Sequence, residues 1–426
     1  MMRFFRILGA ACLAVLLMVA VAAAQETKQA ESAEEAQAPA KLSTMDTVVV
    51  TATKTKHTLG DVPASVSVLT REEIEKAPGT TVLDAMKQMP GVTVDMVRGP
   101  YGSSTNNTVT IRGMGGDNAG RVLVMIDGMP VNAPGSAIFE WTSINKDSIE
   151  RIEVVRGPAS ALYGSSAMGG AINIITRKAF KEGFTTTLDT KYGTHATSQT
   201  SLYHSGRVGR FSYWATGEYL RSSGFNAVSD ASRRQRTSDP ERVESDNAAL
   251  NMTWSPDETI DFTIMGEFDD YERNGRYLYD RNYNLYSYSR RSLSGKIRKD
   301  FGPVESTLSL RGDYLSSDYD TAASNSRELA NTAPALQRTY SGDLQNGFAL
   351  GEYNFITAGV YGYYGSQDRD MDYKTSTRTR ERGGQQNNYA LYLQDEISLL
   401  DGDLAIVPGL RYDYWRTEGY DKDTNL

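Results

Sequence analysis

The side chains best suited to metal binding or nucleophilic catalysis are few in this chain. They are three histidines, His57, His195 and His204, and one cysteine, Cys12. Metal sites need ligands at short, fixed spacings, and these histidines show no such spacing. No serine, histidine and aspartate lie in an order that suggests a nucleophilic triad. The sequence therefore predicts no enzyme, no catalytic residue, no metal site and no cofactor.

A stretch rich in glycine, serine and alanine could be mistaken for a phosphate cradle. It lies within Ser148–Lys178, "SIERIEVVRGPASALYGSSAMGGAINIITRK". A nucleotide-binding loop of this kind ends in Gly-Lys-Ser/Thr and opens a long helix, and both features are missing here. We therefore predict that this segment has no nucleotide site.

A different kind of chemistry, recognition through the backbone, is indicated by "DTVVVTAT". This stretch is an isolated strand pattern that follows a polar, aromatic-free tether, Gln25–Met45. Two interpretations are open: a partner's sheet edge pairs with the strand, or the strand pairs within its own domain. The residues concerned are Asp46, Thr47, Val48, Val49, Val50, Thr51, Ala52 and Thr53.

The first 24 residues read as a secretory signal. Arg3 and Arg6 precede the apolar run Ile7–Val21, and three alanines follow before Gln25. The mature chain is then exported and contains no cysteine. No later run approaches the roughly 18 apolar residues that a membrane-spanning helix needs.

Composition narrows the partners. The formal net charge is −8, charged residues make up 23% of the chain, and there are 38 glycines and 25 tyrosines. Dense Lys/Arg runs are absent, so we predict no nucleic-acid partner.

Residues 59–180 have the pattern of a small mixed α/β domain. Short helices are predicted at "REEIEKA" and at Thr81–Met89, and Asp127-Gly128 is a strong hairpin turn within "RVLVMIDGMPV". Strand patterns surround these elements. His57 is expected in the solvated linker before this domain.

Residues 181–426 change to repeated strands with one apolar face. In "VESTLSLRGDYLSS", Leu308, Leu310 and Tyr314 alternate with Ser309, Arg311 and Asp313. About eleven such strands are predicted, with tight links alternating with long polar links at residues 221–245, 318–337 and 366–386. This alternation favours a transmembrane barrel over a soluble β-sandwich. His204 lies on one of these strands, where we favour an ordinary structural role over a position facing the barrel interior.

Three motifs in order carry a family resemblance. "DTVVVTAT" resembles the TonB box of the TonB-dependent outer-membrane receptors, "IERIEVVRGPASALYGSSAMGGAINIITR" resembles their plug signature, and "TIRGMGGDNAGRVLVMIDGMPV" is similar to the region between them. The resemblance implies a mixed α/β plug domain followed by antiparallel transmembrane β-barrel strands that contact the lipid of a Gram-negative outer membrane. It also implies that residues 46–53 bind TonB, which carries energy from its inner-membrane complex.

The resemblance extends to four single residues. Plug arginines of the family pair with barrel glutamates, and the matching positions are Arg112 and Arg156. The alternative is that each satisfies nearby backbone carbonyls. Ligand contacts in the family come from plug apices and barrel loops, which makes Arg98 and Tyr101 ligand-binding candidates.

The chain departs from the family in strand number, since about 11 strands are predicted where about 22 are expected. We therefore expect residues 1–24 to be a signal peptide, 25–58 a periplasmic tether, 59–180 the plug and 181–426 the N-terminal part of a barrel, from an interrupted reading frame or an incomplete sequence. The implied function is energised uptake, with a ferric siderophore as the first candidate. Haem or cobalamin uptake, or a non-transporting fragment that only binds at the surface, are the alternatives.

Overall fold

The computed structural model describes two parts of the chain, an N-terminal domain and a long sheet, together with a few residues of the segment before them. The described residues are 48–49, 54, 57–58, 64–96, 101, 107–114, 121–132, 139–179, 182–224, 242–276, 283–322, 329–351, 353–373, 378–400 and 404–425. The predicted signal peptide and most of the predicted tether lie outside this set.

The N-terminal domain contains three short helices and a mixed sheet. Its five-stranded sheet has the order β3-β8-β9-β6-β7, in which β6 and β9 are parallel, while β4 and β5 pair separately and β1 pairs with β2. The elements are β1 (Val48–Val49), β2 (His57–Thr58), β3 (Val66–Thr70), α1 (Arg71–Lys76), α2 (Val82–Met86), β4 (Val92–Met96), β5 (Asn107–Ile111), β6 (Val122–Ile126), β7 (Met129–Pro130), β8 (Ile149–Arg156), α3 (Ser160–Tyr163) and β9 (Gly170–Thr176).

Local sequence explains where these elements begin and turn. Thr70 and Thr81 each form a capping box with the acidic residue three positions later, which starts α1 and α2 as predicted. Asp127 and Gly128 have φ angles of 48° and 85°, which a tight β-hairpin turn requires. Fully buried Ile74 packs in the core that the helices and the sheet share.

The long sheet is antiparallel throughout and contains eleven long strands and two short ones. It confirms the predicted strand-rich second part. Within the described residues the end strands β10 and β22 do not pair with each other, so the sheet is open. The strands are β10 (Gly183–Gly193), β11 (Thr197–Val208), β12 (Phe211–Ser222), β13 (Arg242–Asp257), β14 (Ile260–Arg276), β15 (Tyr283–Asp300), β16 (Val304–Ala322), β17 (Leu329–Thr332), β18 (Ala335–Leu350), β19 (Asn354–Tyr373), β20 (Arg378–Leu399), β21 (Leu404–Ile406) and β22 (Gly409–Asn425).

The long sheet exposes its apolar side chains and buries its polar ones, the reverse of a soluble protein. On β16, Leu310 is 54% exposed whereas neighbouring Arg311 is 4% exposed. The apolar residues therefore point away from the N-terminal domain, and the polar residues point toward it. A soluble β-sandwich would bury the apolar face. The observed arrangement therefore contradicts a sandwich and fits a barrel sheet whose apolar face contacts lipid.

Two of the predicted long links are wrong. Residues 366–386 were expected to form a long polar link, but β19 continues to Tyr373 and β20 begins at Arg378. In the same way the link predicted at residues 318–337 contains the end of β16 at Ala322, the short strand β17 and the start of β18 at Ala335. Polar residues occupy most positions in these extensions, so the apolar alternation stops while backbone pairing continues.

Among the described residues, no helix is long and apolar enough to cross a membrane.

Candidate functional site

The chain segment that follows residues 46–53 is held against the long sheet at Lys54. The Lys54 Nζ atom lies 2.7 Å from Asp343 Oδ2 and donates a hydrogen bond of 3.0 Å to the Tyr392 hydroxyl. Gln345 Nε2 donates to the Lys54 carbonyl oxygen at 2.9 Å. Strands β18 and β20 thus bind both the side chain and the backbone of Lys54. We call Lys54, Asp343, Gln345, Tyr392 and Tyr163 the Lys54 seat.

The seat is closed off from water by aromatic rings. Lys54 Nζ lies 4.1 Å from the centroid of the Tyr392 ring and 5.2 Å from that of Tyr163. The Lys54 side chain is 9% exposed and that of Asp343 is 14% exposed. Burial lowers the pKa of Lys54, and the Asp343 carboxylate only partly opposes this effect. The ion pair is therefore costly to desolvate and also costly to break by removing one partner.

Helix α3 of the N-terminal domain lies beside the seat and packs against β20 and β22. Arg411 Nη1 donates to the Leu162 carbonyl oxygen at 2.8 Å, while its Nε and Nη2 atoms donate to Asp413 at 2.8 and 2.9 Å. Gly164 ends the helix with a φ of +80°, and a Cβ there would lie 3.2 Å from Arg411 Nε. Glycine is needed at this point for both backbone conformation and space.

Other contacts fix the rest of the N-terminal domain on the same face. Lys296 Nζ donates to the Asp127 carbonyl oxygen at 2.9 Å, and Asn145 Nδ2 donates to Thr216 Oγ1 at 2.7 Å. Several strands of the sheet thus share in positioning this domain. A cavity of about 20 Å³, large enough for a single water, lies between the domain and β12–β14.

Residues 46–53, the predicted TonB-binding strand, which we call the coupling strand, lie only partly within the described residues. Val48 pairs with Thr58 and Val49 with His57 in an antiparallel two-residue ladder. These two positions therefore pair within the chain, which was one of the two open interpretations. Asp46, Thr47 and residues 50–53 lie outside the described residues, and binding to a partner's sheet edge stays a prediction.

Arg112 and Arg156 lie close to each other in the N-terminal domain. Arg112 is exposed, has a φ of +50°, and donates from Nη2 to Ser65 Oγ at 3.2 Å. Arg156 Nη1 donates to the Pro90 carbonyl oxygen at 3.1 Å. Neither guanidinium forms an ion pair in the described part of the chain, so their contacts are local, and the pairing with barrel glutamates stays a prediction.

Of the two predicted ligand contacts, Arg98 lies outside the described residues. Tyr101 is half-buried, and its hydroxyl is 2.7 Å from Thr80 Oγ1. Its ring packs on a cluster of Val243, Tyr271 and Tyr288 from the long sheet. Burial raises the pKa of Tyr101. The structure therefore places Tyr101 where the N-terminal domain meets the long sheet, and its role in ligand binding stays a prediction.

The histidines have no metal-like surroundings where they are described. His204 lies on the apolar face of β11, next to buried Tyr203, with Thr186 Oγ1 2.8 Å from Nδ1 and the Tyr213 hydroxyl 2.9 Å from Nε2. It therefore does not face the N-terminal domain. In the described residues, no group of three or more His, Cys, Asp or Glu side chains could hold a metal ion.

Sequence patterns missed the Lys54 seat. Lys54 is 289 residues from Asp343 and 338 from Tyr392 along the chain, so no local spacing connects them. The available signal was weak: Asp343 and Tyr392 are polar positions on the inward-facing side of alternating strands. That signal marks a side of the sheet but no particular partner.

Comparison with known proteins adds the family context. Residues 58–171 match the TonB-dependent receptor plug domain, and residues 180–426 match the TonB-dependent receptor-like β-barrel. A probable TonB-dependent siderophore receptor, PirA of Acinetobacter baumannii, is 29% identical over 69% of this chain and 40% of its own length. The vitamin B12 transporter BtuB of Vibrio vulnificus is 40% identical over 32% of this chain and 21% of its own length. The chain thus spans less than half the length of these curated relatives.

Solved structures share the fold. The ferric preacinetobactin receptor BauA of A. baumannii superimposes with a TM-score of 0.69 at 15% identity, covering 88% of this chain and 62% of that one. The ferric yersiniabactin uptake receptor FyuA of Yersinia pestis gives a TM-score of 0.66 at 15% identity, covering 85% and 60%. At this identity the likeness shows the fold alone.

Proposed function

The chain belongs to the family of TonB-dependent receptors, and on this premise we propose that it takes part in energised uptake of a scarce ligand across the outer membrane. The barrels of this family are outer-membrane proteins, and the family consists of transport receptors rather than enzymes. The N-terminal domain would act as the plug, and the long sheet would form part of the barrel. The proposed limits are 1–24 for the signal peptide, 25–58 for the tether, 59–180 for the plug and 181–426 for the barrel strands.

The Lys54 seat is the observation that carries the proposal. A coupling strand must be retained until it is needed and must then be released to a partner. Lys54 directly follows residues 46–53 and is bound by hydrogen bonds, an ion pair and ring contacts, all of which are reversible. The seat can therefore retain the strand without a permanent link.

We propose that residues 46–53 pair with TonB as an added strand at the periplasmic side. Backbone pairing of this kind needs free N–H and C=O groups on the coupling strand. Pairing of β1 with β2 occupies part of that backbone, so TonB competes with an internal partner. Energy from the inner-membrane complex would then act on the N-terminal domain through Lys54.

We propose that Arg112 and Arg156 pair with a carboxylate that lies outside the described residues. Arg156 Nε is buried and has no hydrogen-bond partner there. A buried guanidinium nitrogen left unpaired is unfavourable, which a barrel glutamate would correct. Arg112, next to Gly157, would share that partner.

The proposed ligand is a ferric siderophore. The support is the relative named as a probable siderophore receptor, whose similarity covers 69% of this chain. Arg98 and Tyr101 suit an anionic aromatic chelate. Cobalamin is the second candidate because a vitamin B12 transporter is 40% identical over 136 residues.

Deletion of Asp46–Thr53 tests the proposal. Cells that carry the deletion should bind labelled ferric siderophore but should no longer accumulate it. Replacing Gln25–Ser32 with a Gly/Ser stretch of the same length is the matched control, and it should leave accumulation unchanged. Uptake that persists after the deletion contradicts coupling through this strand. Competition by cyanocobalamin, but not by ferric siderophores, would shift the ligand to the second candidate.

A further inference from the structure

Helix α3 contacts the long sheet and also contributes Tyr163 to the Lys54 seat. Its Leu162 carbonyl oxygen accepts a hydrogen bond from Arg411 on β22, and the ring of its last residue, Tyr163, lies near Lys54 Nζ. These two contacts come from adjacent residues of one short helix. Movement of α3 would therefore disturb both of them.

Arg411 is suited to hold α3 in one orientation. Its side chain is 6% exposed, and two of its nitrogens bind both oxygens of Asp413 in a fork. The third nitrogen, Nη1, is then directed at Leu162. A guanidinium is planar and rigid, so fixing two nitrogens fixes the third, which a lysine ammonium cannot reproduce.

The ring of Tyr163 completes the enclosure of the Lys54 ammonium. Tyr392 lies 4.1 Å from Lys54 Nζ and Tyr163 lies 5.2 Å away, one ring from the long sheet and one from the N-terminal domain. Arg411 also lies beside the Tyr392 ring, at 5.9 Å from its centroid. Loss of the Tyr163 ring would open the seat to water and weaken the Lys54–Asp343 attraction by raising the local dielectric.

We propose that Arg411 is a positioning residue for the coupling strand: by holding α3 it keeps Tyr163 over Lys54, and it thereby sets how readily residues 46–53 are released. This inference rests on the proposed function, because release matters only if those residues bind a partner. Arg411 itself does not contact Lys54 through a hydrogen bond in the described residues. It acts through α3.

The test measures exposure of the coupling strand in isolated outer membranes, without the energising complex. The only cysteine is Cys12, in the predicted signal peptide, so a Val49→Cys variant carries one thiol after export. The rate of its modification by a maleimide reports the released population. Arg411→Lys should speed labelling about tenfold, whereas the matched control Arg416→Lys, at an exposed arginine on the same strand, should leave the rate unchanged.

A second comparison separates positioning from general weakening of the fold. Lys54→Gln should speed labelling by itself, and adding Arg411→Lys to it should give no further increase, because both changes act on one seat. Rates that multiply in the double variant, or an unchanged rate in Arg411→Lys, would overturn the inference. Tyr163→Leu, which leaves Arg411 and Leu162 in place, should also speed labelling and serves if Arg411→Lys fails to fold.

The outcome also separates this inference from the proposed function. An unchanged labelling rate in Arg411→Lys, with uptake still lost on deletion of Asp46–Thr53, removes only the role of Arg411. Uptake that survives that deletion removes the proposed function itself, whatever the labelling rates are.

Discussion

Removal of the Lys54 charge should release the coupling strand, and the structure sets the size of the effect. Lys54→Gln leaves the Asp343 carboxylate 14% exposed and without its cation. Removal of one partner of a buried pair costs about 3–5 kcal/mol. We take the lower end, about 3 kcal/mol, because the Tyr392 hydroxyl still donates to Asp343 at 2.9 Å. This corresponds to a roughly hundredfold larger released population.

A paired apolar replacement sharpens the same prediction. Burial lowers the pKa of Lys54, so desolvation outweighs the attraction of Asp343. Lys54→Met together with Asp343→Leu removes both charges and the desolvation cost with them, but it leaves the buried Tyr392 hydroxyl without its two partners. Labelling should therefore be much slower than in Lys54→Gln. Thiol labelling at Val49→Cys measures each variant, with Lys87→Gln as the control, since the Lys87 side chain is 45% exposed in its ion pair with Asp84. Fast labelling in the double apolar variant, equal to that of Lys54→Gln, would refute this account of the seat.

Two further predictions concern the N-terminal domain. Burial, assisted by the Lys191 charge, lowers the pKa of Lys146, whose Nζ donates to the Ala77 carbonyl oxygen. At pH values just below the ordinary pKa of 10.5 the unfolded chain therefore binds more protons than the folded one, and the free energy of unfolding should rise with pH there. Lys146→Met should flatten this rise, as measured by thermal unfolding at several pH values. Gly164→Ala should destabilise the protein by about 1 kcal/mol more than Gly113→Ala in the same assay. Both glycines have positive φ, but only at Gly164 would the added Cβ meet Arg411. Equal losses of stability would contradict the close approach of Arg411 to Gly164.

Local sequence was enough to predict the elements whose signals are local. Thr70, Thr81 and Asp127-Gly128 determine two helix starts and one turn through hydrogen bonds within a few residues. The eleven long strands follow from period-2 alternation, because an apolar outer face must repeat on every strand. Strand ends were less predictable: Asp368 and Asp370 lie on a paired strand even though their surroundings are largely polar.

The site depended on contacts that the sequence does not encode locally. The strand pattern of residues 46–53 could be predicted from a run of β-branched residues, but the contact of Lys54 with Asp343, which the proposed retention needs, joins residues far apart along the chain. The roles of Arg112 and Arg156 could be narrowed only to two alternatives, since a barrel partner for either one would be distant in sequence. The structure adds the local contacts of each arginine and the unpaired Arg156 Nε atom.

The most direct test of the proposed pairing between the coupling strand and TonB is site-specific cross-linking in living cells. A Val49→Cys variant would be combined with cysteines along the strand of TonB that is expected to pair with it. The account predicts disulfide cross-links that increase when ferric siderophore is added and increase without ligand in Lys54→Gln. Cross-links that are absent under both conditions, or that are unaffected by proline at Val48, would contradict pairing of the coupling strand with TonB.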